Sequence, residues 1–161
     1  MDLLLNFGRW LQNTTWALSI TGSDWAYPFV QLIHFSGLSL WIGTILAVDF
    51  RLLGIGRDRQ TAEQLSDSVY AWNWAGFTIA FVDGFMLFAC SAETYLRNPA
   101  FLVKLGILVP AGLICHIFVQ RKSRDWTTAS ELSRAARIAG LVELLLWLSV
   151  AAAAVLIPTV G

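Results

Sequence analysis

Four apolar runs, each close to the length that crosses a bilayer, constrain this chain more than anything else in it. They cover about Trp25 to Phe50, Trp72 to Ala92, Pro99 to Gln120 and Ile138 to Ile157, against the ~20 apolar residues that a spanning helix needs. In lipid, each run must satisfy its own backbone N–H and C=O groups, which makes it a helix; the alternating ~10-residue pattern of a membrane barrel is absent. The expected fold is all-α, an integral membrane four-helix bundle forming a single domain over residues 1–161. Composition agrees. With 57% hydrophobic and 14% charged residues and a mean hydropathy of +0.61, the chain is too apolar for a soluble domain. The lipid bilayer is its expected surrounding, alone or as an oligomer, and a net charge of zero gives no footprint for nucleic acid.

Ahead of the first run, Leu3, Phe7, Trp10, Leu11 and Leu18 recur at helical spacings with Asn6, Arg9 and Gln12 between them. This predicts an amphipathic helix over about residues 3–20 lying in the membrane interface. The segment lacks the basic start and small-residue cleavage site of a secretory signal. Lys and Arg then set the orientation. Arg51, Arg57 and Arg59 fall in the first connection and Arg121, Lys122, Arg124, Arg134 and Arg137 in the third, against Arg9 and Arg97 elsewhere outside the runs. The first and third connections are expected on the cytoplasmic side of a bacterial inner membrane, with both termini on the periplasmic side. Asn98 with Pro99 suits a helix cap and first position, and Thr128 with Glu131 reads as a capping box opening the fourth helix. Trp25, Tyr27, Tyr95, Trp72 and Trp74 suit an interfacial aromatic belt, whereas Trp41 and Trp147 fall within spans and call for protein neighbours. Cys90 and Cys115 fall on opposite sides of the membrane in this topology, as free thiols.

Setting aside Asp49 at a helix end, five ionisable residues lie inside the runs: His34, Asp83, Lys104, His116 and Glu143. A charge facing lipid at mid-depth costs roughly 2.5 to 3.5 kcal/mol or more, so these residues are expected to face inward and to be paired. Helical rise puts His34 and Asp83 both about 13 Å below the outer boundary, with Lys104 at about 7 Å. His116 lies about 18 Å further along its helix than Lys104 and roughly 120° around it, near the depth of Glu143. Two groups result, an outer one of His34, Asp83 and Lys104 and an inner one of His116 and Glu143. A level pair of His34 and His116 around one haem is disfavoured by this ruler.

The stretch His34, Phe35, Ser36, Gly37, Trp41, Gly43, then Asp49, Phe50, Arg51, Leu52 resembles the first histidine-bearing helix of two groups of small bacterial membrane proteins. These are the oxygen-independent, haem-associated protoporphyrinogen oxidases of the HemJ type and the copper-resistance CopD-like membrane domains. In both, a histidine is followed at three by glycine and at seven by tryptophan, with a basic residue at the helix end. The oxidases add a lysine on a later helix, which maps onto Lys104. An uncharacterised four-helix family sharing the H-x-x-G-x-x-x-W helix is the further match. The chain lacks the oxidases' proline before Arg51, and its two methionines, Met1 and Met86, are few for a thioether relay suited to Cu(I).

Three functional readings follow. The resemblance implies a redox or electron-transfer protein with b-type haem (heme b), held by His34 as axial ligand. Lys104 is then its second ligand or propionate partner, Gly37 and Trp41 line the site, and a membrane or periplasmic redox partner is served. In the second reading a metal ion such as copper, or a proton, passes from His34, Asp83 and either Cys90 or Met86 to His116 and Glu143, with the two histidines as metal ligands. In the third the chain is a non-enzymatic membrane subunit whose polar residues bind a partner and one another.

Overall fold

The computed structural model describes residues 2–56, 61–126 and 133–160, and every element among them is a helix. In chain order these are α1 (Asp2–Gln12), α2 (Thr15–Thr21), α3 (Ala26–Leu52), α4 (Ala62–Cys90), α5 (Ala92–Arg97), α6 (Pro99–Ile107), α7 (His116–Trp126) and α8 (Arg134–Val160), with a π-helical segment, Leu108–Cys115, joining α6 to α7. Three of them, α3, α4 and α8, are each long and apolar enough to cross a membrane. The chain is thus a multi-pass membrane protein.

Local chemistry sets the helix ends. α4 begins ten residues before its apolar run because Thr61 and Gln64 form a reciprocal cap: Gln64 N–H donates to Thr61 Oγ1 at 3.2 Å and Thr61 N–H to Gln64 Oε1 at 3.0 Å, satisfying two amides that the helix itself leaves without acceptors. α6 starts as expected. Asn98 Oδ1 accepts from Ala100 N–H at 2.9 Å and from Phe101 N–H at 3.2 Å, while Asn98 Nδ2 donates to the Ile157 carbonyl at 2.8 Å. One side chain therefore caps α6 and ties it to the far end of α8. The run from Pro99 to Trp126 stays helical throughout but changes register between Leu108 and Cys115. Pro110 has no amide hydrogen to give an α-helical bond, and the i to i+5 register accommodates it in a wider turn. The capping box expected at Thr128 and Glu131 lies outside the described residues.

Packing centres on α3 and α4, whose backbones almost touch. A Cβ on Gly76 would lie 2.6 Å from the Trp41 amide nitrogen, and one on Gly37 would lie 2.7 Å from Ile79 Cγ2 and 2.8 Å from the Ala80 nitrogen. Small residues at such a crossing let dispersion do the work that hydrophobic burial does in water. α8 packs on α3 and α6, and α7 touches α4 and α8. Cys90 and Cys115 are both free thiols.

The amino-terminal segment differs from the single helix expected. Asn13 Nδ2 donates to the Arg9 carbonyl at 2.6 Å and Thr14 Oγ1 to the Leu11 carbonyl at 2.7 Å. Those side chains take up the last carbonyls of α1 and end it. α1 then buries Leu5, Gly8 and Leu11 against α5 and α4, leaving Leu3, Phe7 and Trp10 exposed. Glu93 of α5 accepts from Arg97 at 2.7 Å and faces Arg9 at 3.5 Å. The Arg97 hydrogen bond, with both arginine charges behind it, holds this carboxyl below the usual glutamate range.

Candidate functional site

Among the described residues, the most connected polar group is built by α3, α4, α7 and α8 around His116, which is 6% exposed. Its Nδ1 lies 2.6 Å from Glu143 Oε1 and its Nε2 2.9 Å from Asn73 Oδ1. Asn73 Oδ1 also accepts from Gln120 Nε2 at 3.2 Å, and Asn73 Nδ2 donates to Thr44 Oγ1 at 2.9 Å. The Thr44 hydroxyl donates in turn to the Trp41 carbonyl at 2.7 Å. These directions fix the tautomer. Since the Thr44 proton is engaged, its oxygen must accept, so the Asn73 oxygen faces His116, and Nε2 must carry a hydrogen.

The Nδ1 atom is then where chemistry can change. A distance of 2.6 Å belongs to a charge-assisted bond, with one proton held between carboxyl and imidazole. Asp49 extends the site. It is fully buried, and its carboxyl faces that of Glu143 within hydrogen-bonding reach. Two carboxyls sharing a buried site cannot both be ionised without a large penalty, so a proton resides between them. Asp49, Glu143 and His116 together are electrically neutral when they hold two mobile protons beyond the Nε2 hydrogen. A cavity of about 10 Å³ beside them, lined by Thr44, Ser66, Asn73, Gln120 and these three, is the size of one water.

The outer residues are arranged more loosely. The His34 ring lies over Gly84, where a Cβ would come within 2.9 Å of its Cε1. The Ala80 backbone is beside the ring and the charges of Lys104 and Asp83 are both within range of it, yet Nδ1 is buried without a hydrogen-bond partner. Asp83 faces inward, 8% exposed. Asn73 and Gly84 mark the levels of the two histidines on α4, eleven residues and about 16 Å apart. Gly37 and Trp41 serve packing: the first is closed by Ile79 and Ala80, the second is buried against Phe77 and Trp147 with ring centroids 4.9 and 4.6 Å away. The space beside both is thus filled by protein side chains. Among the described residues no three His, Cys, Asp or Glu side chains converge with metal-ligand spacing.

Sequence reasoning paired His116 with Glu143 by depth, and the structure brings them together. It left out Asp49, Asn73, Thr44 and Gln120. Their shared signal was periodicity: Asp49 and Thr44 lie on the stripe of α3 that carries Trp41, and Asn73 lies on the stripe of α4 that carries Gly76 and Ala80. Between Lys104 and His116 the π segment Leu108–Cys115 intervenes, and its wider turn takes up less rotation per residue than the α-helix from which the ~120° offset follows.

A family model, that of a family of unknown function (DUF6644), matches residues 16–159. The chain belongs to the DUF6644 family. No curated protein and no solved structure matches it. The DUF6644 match begins at Trp16, after α1, and takes in every residue of both polar groups.

Proposed function

We propose that this DUF6644 protein is a proton-handling membrane protein that takes up and releases protons at Asp49, Glu143 and His116. In this reading it spans a bacterial inner membrane four times, with α6, the π segment and α7 as the third span, α1 and α2 in the outer interface, and the basic connections in the cytoplasm. The observation that carries it is His116, buried, with one nitrogen on Asn73 and the other on Glu143. A buried histidine needs partners for both ring nitrogens whatever its role, so the kind of partner decides. A second bond to a carboxyl that itself abuts another carboxyl makes a site of variable protonation. Infrared difference spectra of the purified protein between roughly pH 5 and 10 test this. A protonated-carboxyl band that responds to pH and is lost in Asp49→Asn is expected. A network with no such band anywhere in that range is a structural tie and ends the proposal.

A second reading keeps one observation, the unpartnered Nδ1 of His34, which an axial bond to b-type haem would satisfy. Its macrocycle would have to lie away from Gly37 and Trp41, which are closed by packing. The visible spectrum of the protein decides. No Soret band is expected, and one that disappears in His34→Ala would restore the haem reading.

A further inference from the structure

Three of the four helices that build the proton site, α3, α4 and α8, repeat one pattern along their lengths. On α4, Asn73 is followed one turn on by Phe77, one more by Ala80, and one more by Gly84 beneath His34. On α8, Glu143 is followed by Trp147 and then Val150. On α3, Asp49 gives way to Ile45, Trp41 and Gly37 before His34 is reached. These positions share a helical face, so the molecule is layered: an inner polar layer at His116, an apolar layer, and an outer polar layer of His34, Asp83 and Lys104.

The middle layer is apolar and aromatic, and the indole N–H groups of Trp41 and Trp147 are buried in it without acceptors. Trp41, Ile45, Ala80, Trp147 and Val150 are its buried residues, with Phe77 packed against them. Trp41 meets Phe77 and Trp147 edge-on, at interplanar angles of 70° and 75°. No side chain in this layer can accept and pass on a proton at neutral pH, since an indole N–H only donates. The layer separates donors and acceptors about 16 Å apart along α4, and a proton crosses such a gap only along hydrogen-bonded groups or water. The inner layer has a route the other way. Gln120, one turn beyond His116, is half-buried and bonded to Asn73, and leads towards the helix ends that carry Arg51, Arg121 and Lys122.

We propose that Trp41, Phe77 and Trp147 form a proton barrier that makes the Asp49, Glu143 and His116 site one-sided, exchanging protons through the Gln120 end and not with the layer of His34. This rests on the proton-handling reading above. The two proton-holding layers are the halves of a path that this arrangement keeps apart.

Proteoliposomes loaded with a pH-sensitive dye and given a pH step test the barrier. Wild-type protein is expected to pass protons no faster than empty liposomes. Trp147→Ala, which opens a void between the layers, is expected to raise the flux about tenfold or more. Adding Glu143→Gln to it should return the flux to background, because the path then lacks its inner carboxylate. Leu148→Ala, at an exposed neighbouring position, should change nothing. Phe77→Ala gives the same test should Trp147→Ala fail to elute as a folded protein. Wild-type flux well above empty liposomes and dependent on Glu143 overturns the barrier, as does background flux in a folded Trp147→Ala or Phe77→Ala protein. The infrared band separates the levels of failure: if it persists while the flux predictions fail, only the barrier falls, and if it is absent the proton site falls as well.

Discussion

Asn73 uses both ends of its amide, and two partners depend on it. Replacing it with alanine leaves the His116 Nε2 hydrogen and an amide hydrogen of Gln120 without this acceptor in a closed site. An unsatisfied buried donor costs about 1 to 3 kcal/mol, so Asn73→Ala is expected to lower thermal stability in detergent by about that much. Asn73→Asp keeps an acceptor but adds a third carboxyl to the site, and is expected to be the worse of the two at neutral pH; equal melting temperatures for the two variants would refute this. The same residue explains what the sequence hid. Charged side chains inside an apolar run announce themselves by their desolvation cost, which is why His116 and Glu143 were legible. Asparagine and threonine carry a smaller penalty and blend into a span, so Asn73 and Thr44 become visible only when their helical faces are laid together. Asp49 was legible as a charge but was judged by its place near a helix end, although α3 runs on to Leu52 and α8 covers that face.

At the scale of elements, the three helices long and apolar enough to span, α3, α4 and α8, were readable because backbone satisfaction in lipid leaves few alternatives. Irregular features were not. The break at Asn13 and Thr14 depends on side chains that can cap or continue a helix equally well in sequence, and tertiary burial of Leu5, Gly8 and Leu11 selects the first. The π segment was foreshadowed only by Pro110. α1 is held to α5 in part by the contact of Arg9 with Glu93, a carboxyl that Arg97 of the same α5 also holds, and pH probes that attachment. The Glu93 carboxyl is held low in the folded protein chiefly by the Arg97 hydrogen bond, helped by Arg9. Its contribution is therefore complete above the ordinary glutamate range and is lost as pH falls through the lowered folded value. The emission of Trp10, exposed on α1, should report a loosening on acidification that Glu93→Gln shows already at neutral pH. A Glu93→Gln protein whose α1 stays as firmly attached as wild type at neutral pH would assign the attachment to the apolar face alone.

For the whole molecule, orientation and rigidity are separate questions. The basic residues around the first and third connections outnumber those elsewhere outside the spans by eight to two, so a reporter placed at Gln60 is expected to be active in the cytoplasm and one after Gly161 outside it. The opposite pattern would invert inner and outer throughout while leaving the layers in order. Rigidity follows from the Gly37 and Gly76 crossing. Two backbones in contact have no side-chain cushion between them, so α3 and α4 can neither slide nor rotate against each other by a fraction of an ångström without collision. They are therefore expected to move together. Any working stroke of this protein would then be made by α8 and the helix that carries the π segment, swinging as a jaw against a fixed anvil, and Glu143 and His116, one on each moving helix, would ride past stationary Asp49 and Asn73.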